Sequence, residues 1–189
     1  MANGEAHVLV HPVTTFRALR LDAAGGSPLR RPALLLLFLG CAVSFLASGR
    51  PSIRLIADGA QSFAFVPFCE LAGLAVSLRV GRRRVPVTRA IDPFLTGNAP
   101  WLLWIVIISL ASTVSRPILW TLHLFAVSGL PPAIWSAIID FHFFREITDA
   151  DSRAAVRGVL VQRAVAWSLA TLYFFGIAIW PEVAGRIGW

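Results

Sequence analysis

Apolar residues in this chain fall in long runs, and the polar residues between them are confined to short gaps. About 20 consecutive apolar residues are enough for a helix to cross a bilayer. Runs at 32–48, 60–78, 99–115, 118–140 and 159–180 therefore predict an all-α bundle of about five transmembrane helices. The run at 60–78 contains Pro67 and Glu70; a carboxylate at mid-membrane costs about 2–3 kcal/mol on insertion scales, which the remaining apolar residues offset. From 99 to 139 the chain is apolar for longer than one helix needs, with interruptions at Arg116-Pro117 and at Gly129-Leu130-Pro131-Pro132. The break is placed at 115–117, because a break at 128–132 would leave Arg116 unpaired in the membrane, whereas proline is tolerated there. Gly73 with Ser77, and Ala164 with Ser168 beside Ala166 and Ala170, form small-residue strips suited to close helix packing.

Residues 1–31 form an N-terminal arm of mixed character. Within it Val13, Phe16 and Leu19 recur at helical spacing while Arg17 and Arg20 point elsewhere. That pattern fits a short helix lying in the membrane interface, and an unstructured tail is the equal alternative. The run after Arg30-Arg31 passes Phe38-Leu39-Gly40-Cys41 and continues to Ala47. It is read as a retained helix, since a cleaved signal would have a shorter leader and a shorter apolar core. A polar connector at 145–158 precedes the last span, and 181–189 form a short tail.

Composition agrees with lipid as the solvent. Apolar types make up 57% of the 189 residues, only 14% are charged and the mean hydropathy is +0.71, against about 25% charged in an ordinary globular domain. A soluble body this small would have to cover its surface with those apolar residues as well. The net charge of +7 raises the question of nucleic acid, but all 17 basic residues are arginines in the gaps between runs rather than on one folded face. Cys41 and Cys69 lie in apolar runs, where a thiol behaves as a small hydrophobe.

Arginine placement sets an orientation. With the N-terminus cytoplasmic, twelve arginines of the arm and loops fall on that side, Arg163 lies just inside the last helix, and only Arg50, Arg54, Arg116 and Arg186 fall outside. Such a bias across short loops is the positive-inside pattern; it favours an odd number of spans and an external C-terminus. The cluster Arg82, Arg83 and Arg84 is placed for contact with anionic lipid headgroups.

The order of these features resembles the Yip family of five-span membrane proteins. The resembling residues are His11-Pro12-Val13-Thr14-Thr15-Phe16 before the first span, Pro100 at the entry to the third, Trp135 in the fourth, and the connector from Asp140 to Arg157 before a last apolar helix. The resemblance implies a cytoplasmic N-terminus, five helices and a role in organising membrane proteins or the bilayer, with no catalytic residues to carry over. Eukaryotic members are linked to small GTPases and vesicle traffic. That partner is not carried over to a lysine-free chain of bacterial character, for which the inner membrane is the expected location.

Ionisable groups at membrane depth are the functional candidates. Glu70 leads: it is read first as a carboxyl bonded to a neighbouring helix and second as a proton or ion carrier. His123 is read as a packed neutral imidazole. Asp140 and His142, two apart, point to different helix faces and do not form a paired metal site; Asp149 or Ser152 is expected to cap the next element. Arg163 is expected to snorkel to the cytoplasmic surface, with inward pairing to Asp140 as the alternative. No zinc-protease, rhomboid-type serine, phosphate-loop or Cys-x-x-Cys signature is present, and no cofactor is expected. Two classes of function remain: a non-catalytic scaffold or accessory subunit whose partners are other membrane proteins or further copies of the chain, and a small ion or proton carrier centred on Glu70.

Overall fold

The computed structural model describes residues 3–21, 30–62, 64–82, 85–114 and 127–176. Among them the regular structure is entirely helical, in nine elements: α1 (Asn3–Val10), α2 (Pro12–Leu21), α3 (Arg30–Ser48), α4 (Ile53–Ser62), α5 (Phe65–Val80), α6 (Val87–Thr96), α7 (Ala99–Val114), α8 (Leu130–Ile147) and α9 (Ser152–Phe174). The expected turn at 115–117, His123, Arg83, Arg84 and the tail at 181–189 lie outside the described residues.

The stretch Ile53–Val80, 28 residues that include α4 and α5, is long and apolar enough to cross a membrane. It begins earlier than the run at 60–78 and takes in Arg54 and Asp58, which interrupt the apolar pattern, are exposed and sit one helical turn apart with Nε and Oδ2 4.0 Å from each other. Helix α6 and α7 to Ala111 reach the same standard only when taken together across a 41° bend. Helix α3 has 19 residues, Arg30–Ser48, and its described side chains from Ala33 to Phe45 form an apolar stretch. Helices α8 and α9 run on into charged residues, α8 through Arg145 and Glu146, α9 from Arg153 and Arg157.

Helices α3 and α4 pack as a hairpin. Gly49 turns the chain at φ 68°, where a Cβ would be strained. Ser44 secures the turn: its hydroxyl donates to the Arg50 carbonyl at 2.9 Å and accepts from the Ser52 amide at 2.8 Å.

The connector expected at 145–158 is mostly helix. Helix α8 continues to Ile147 and α9 starts at Ser152. Asp151, rather than Asp149 or Ser152 as expected, is the cap: it stands directly before the first helical residue, and its carboxylate accepts from the Ala154 amide at 2.7 Å. Residues 152–158 stay helical because Ala155 and Gly158 face the protein while Arg153 and Arg157 face out.

Of the two readings of the N-terminal arm, residues 3–21 form helices, and Phe16 and Leu19 of their apolar stripe pack on the protein core. Phe16 is fully buried and meets Phe143 of α8 edge to face, ring centroids 5.9 Å apart. Arg17 Nε lies 2.8 Å from Glu146 Oε2 beside it. Phe143 also meets Phe94 of α6 and its neighbour Phe144 edge to face. This cluster, with Val8, Leu74, Leu78 and Ile139, is the main core. Burial stabilises each phenyl group by about 2–3 kcal/mol, and each edge-to-face pair adds about 1 kcal/mol. The core lies where α5 and α8 end and α9 begins, the arginine-rich end of the bundle. Away from it, Leu103, Ile107, Leu110, Ile134, Leu160, Trp167 and Phe174 are exposed.

Candidate functional site

The site is built on the contact between α5 and α9. Gly73 has no side chain, so the α9 backbone comes close: a Cβ added there would lie 2.5 Å from the Gln162 carbonyl oxygen. This approach, with Ala166 against the same face, carries the Gln162 side chain to Glu70, one turn before Gly73. Gln162 Nε2 donates to Glu70 Oε2 at 2.6 Å.

One residue along α9 the side chain points about 100° away, toward α8. Arg163 Nη2 donates to Asp140 Oδ2 at 2.5 Å and to Ser136 Oγ at 2.8 Å. Ser136 and Asp140 are four apart on α8 and share a face. Ser136 Oγ also accepts from Trp101 Nε1 on α7 at 3.0 Å and donates to the Ala133 carbonyl at 3.1 Å. Two sets of polar contacts, starting from the adjacent residues Gln162 and Arg163 of α9, thus join α9 to α5 and to α8 and α7. The Asp140 and Arg163 side chains are 5% and 17% exposed, so water screens the pair little.

The inward turn of Arg163 corrects the expectation that it snorkels. Asp140 and Ser136 supply a carboxylate and a hydroxyl at bonding distance, and an arginine at the surface would leave the buried Asp140 carboxylate without its cation. Two members of the site, Gln162 and Ser136, escape sequence reading. Gln162 sits beside Arg163 in an apolar stretch, and Ser136 one turn before Asp140; those spacings were the available signal. Of the small-residue strips, Gly73 and Ala166 are used, while Ala164 and Ser168 are exposed.

Glu70 and Arg163 also line a pocket of about 430 Å³, otherwise largely apolar, with Asn98, Trp101, Trp104 and Trp167 on its walls. The site contains two carboxyl groups, Glu70 and Asp140, and one guanidinium, so it is electrically neutral when it holds one proton or one monovalent cation. Two buried atoms, Gln162 Oε1 and Arg163 Nε, have no hydrogen-bond partner among the described residues.

Other sequence candidates stand apart from this cluster. His142 is half-buried beside the Phe141 ring, and burial pushes its imidazole below the usual range, with Glu146 opposing. Arg82 is exposed just past α5 at φ 50°. Among the described residues no group of three or more His, Cys, Asp or Glu is placed to hold a metal ion, and Cys41 and Cys69 are free thiols. Comparison with protein-family models, curated proteins and solved structures finds no match.

Proposed function

We propose that this chain is a multi-pass membrane protein of five spans, with its N-terminus in the cytoplasm, acting as a non-catalytic scaffold or accessory subunit of a larger membrane assembly. The observation that carries the reading is the polar cluster: Glu70 to Gln162, and Arg163 to Asp140 and Ser136, are bonds between helices, the use polar groups commonly have in lipid. The exposed apolar side chains of α7, α8 and α9 suit lipid or neighbouring membrane helices as partners. The resemblance to Yip proteins points the same way, and a lysine-free composition favours a bacterial inner membrane.

Orientation follows from charge. Arg79, Arg82, Arg89, Arg145, Arg153 and Arg157 are all exposed, and in the five-span arrangement all lie on the side of the N-terminus. Reporter fusions at the two termini should therefore give a cytoplasmic signal at residue 1 and an external one at residue 189. Both ends on one side would mean an even number of spans.

A second reading, a proton or cation carrier, draws on Glu70 lining a pocket in a site with one carboxyl group more than its guanidinium. The two are separated at Glu70. In the scaffold, Glu70→Gln keeps an oxygen to accept from Gln162 and should leave assembly unchanged, while Glu70→Leu should weaken helix association by about 1 kcal/mol. In the carrier, both substitutions should abolish flux while the protein still folds, because neither side chain exchanges a proton. Proton and cation flux into vesicles, at matched expression, measures this. No specific flux by the wild type is the expected result; flux that vanishes in Glu70→Gln would replace the scaffold reading.

A further inference from the structure

We propose that the cavity between α5, α8 and α9 at the arginine-rich end of the bundle is a binding site for a phosphoryl oxyanion, held by Arg82, Arg157 and Ser77. It has a volume of about 410 Å³ and is separate from the Glu70 pocket. Ser77 and Arg82 come from α5 and the turn after it, Arg157 and Gly158 from α9, and Phe144 of α8 forms a wall. Phe144 reaches that position because Gly158 is bare: a Cβ there would lie 2.9 Å from the ring.

Three observations point to an anion. Among the described residues two guanidinium groups line the cavity and no carboxylate does, so their mutual repulsion is relieved by a bound negative charge. Neither Arg82 nor Arg157 has an ion pair among the described residues. Ser77 is 3% exposed, and its hydroxyl has no hydrogen-bond partner among the described residues, although it lines the cavity. A buried hydroxyl without a partner is uncommon, and a ligand oxygen would satisfy it.

The chemistry selects phosphoryl over carboxylate. A guanidinium presents a planar fork that bonds two oxygens at once. Two such forks and a hydroxyl offer more donors than a carboxylate has oxygens, while a phosphate ester has three or four. The group has two sources at this end of the bundle, inorganic phosphate or the headgroup of an anionic phospholipid. The lipid source rests on the membrane reading above and extends the contact expected of Arg82, Arg83 and Arg84 to a walled site; the inorganic source does not rest on it.

The test is a ligand-induced shift in unfolding temperature for the full chain in neutral detergent, titrated with sodium phosphate against sodium chloride of equal ionic strength, and with phosphatidylglycerol against phosphatidylcholine. Arg157→Gln should weaken binding about tenfold or more, the scale of a lost charged hydrogen bond, and Ser77→Ala about fivefold. Arg145→Gln, which removes an exposed arginine outside the cavity, should leave binding unchanged. A phosphate response with this pattern identifies a soluble ligand, and a response to phosphatidylglycerol alone identifies a headgroup; both support the site. Equal losses from Arg145→Gln and Arg157→Gln, or no shift with either probe, would overturn it. The phosphate arm reads out even if the five-span arrangement fails.

Discussion

Arg163→Leu is expected to destabilise the folded bundle by about 3–5 kcal/mol, the range for removing one partner of a buried ion pair. The substitution strips Asp140, 5% exposed in its side chain, of the only cation within bonding distance among the described residues, and leaves Ser136 Oγ without its charged donor. Part of the loss is recoverable by protonating Asp140, since a buried carboxyl neutralises before it stays charged alone. Asp140→Leu should be damaging for the converse reason, an uncompensated guanidinium. The double variant Asp140→Leu with Arg163→Leu removes both charges and should recover most of the stability, because a buried pair replaced by apolar groups is often close to neutral. Unfolding titrations in mixed micelles on the two single variants and the double complete the cycle, with a coupling energy well above about 1 kcal/mol expected. Additive losses below that size would mean that Arg163 lies at the membrane surface and that the bond to Asp140 does not form in lipid.

What could be read before the structure, and what could not, follows from the range of the forces involved. That the chain is helical was legible, because an apolar run and its flanking charges are local properties. The start of α9 was missed: 152–158 was read as polar connector, although Asp151, two exposed arginines, and Ala155 and Gly158 facing in form a helical pattern within eight residues. The direction of Arg163 was not legible. On its own helix it has the choice of snorkelling or turning inward, and the choice is made by Asp140 and Ser136, more than twenty positions away on α8. Glu70 shows the same limit more sharply. Its mid-run position marks it as unusual, but its partner is Gln162, a residue with no charge to draw attention and 92 positions distant. In the arm at 3–21 the apolar stripe was legible, but a helix and an unstructured tail stood as equal alternatives; that Phe16 meets Phe143 depends on α8 presenting an aromatic cluster at that level.

The small-residue strip at Gly73 leads to the other large effect. Gly73→Leu should disrupt the pairing of α5 with α9 and lower stability by about 3 kcal/mol or more, at or beyond the upper end of ordinary overpacking. A glycine within a helix is normally improved by a side chain, by about 0.5–1 kcal/mol for alanine. Here the first added carbon already stands 2.5 Å from the Gln162 carbonyl oxygen, a backbone atom that cannot rotate aside. Even Gly73→Ala should therefore destabilise, and leucine more so, because the two helices must separate along the face that also holds Ala166. Gly176 is the control: among the described residues nothing lies within 4 Å of a Cβ added there, so Gly176→Ala and Gly176→Leu should not destabilise. The separation has a second consequence that stability alone does not report. Gln162 reaches Glu70 only because α9 lies against Gly73, so in the Gly73→Leu background a further Glu70→Leu should cost almost nothing, whereas in the wild type it costs about 1 kcal/mol. A Glu70→Leu loss that stays the same in both backgrounds would show that the bond between Glu70 and Gln162 does not depend on the close approach at Gly73.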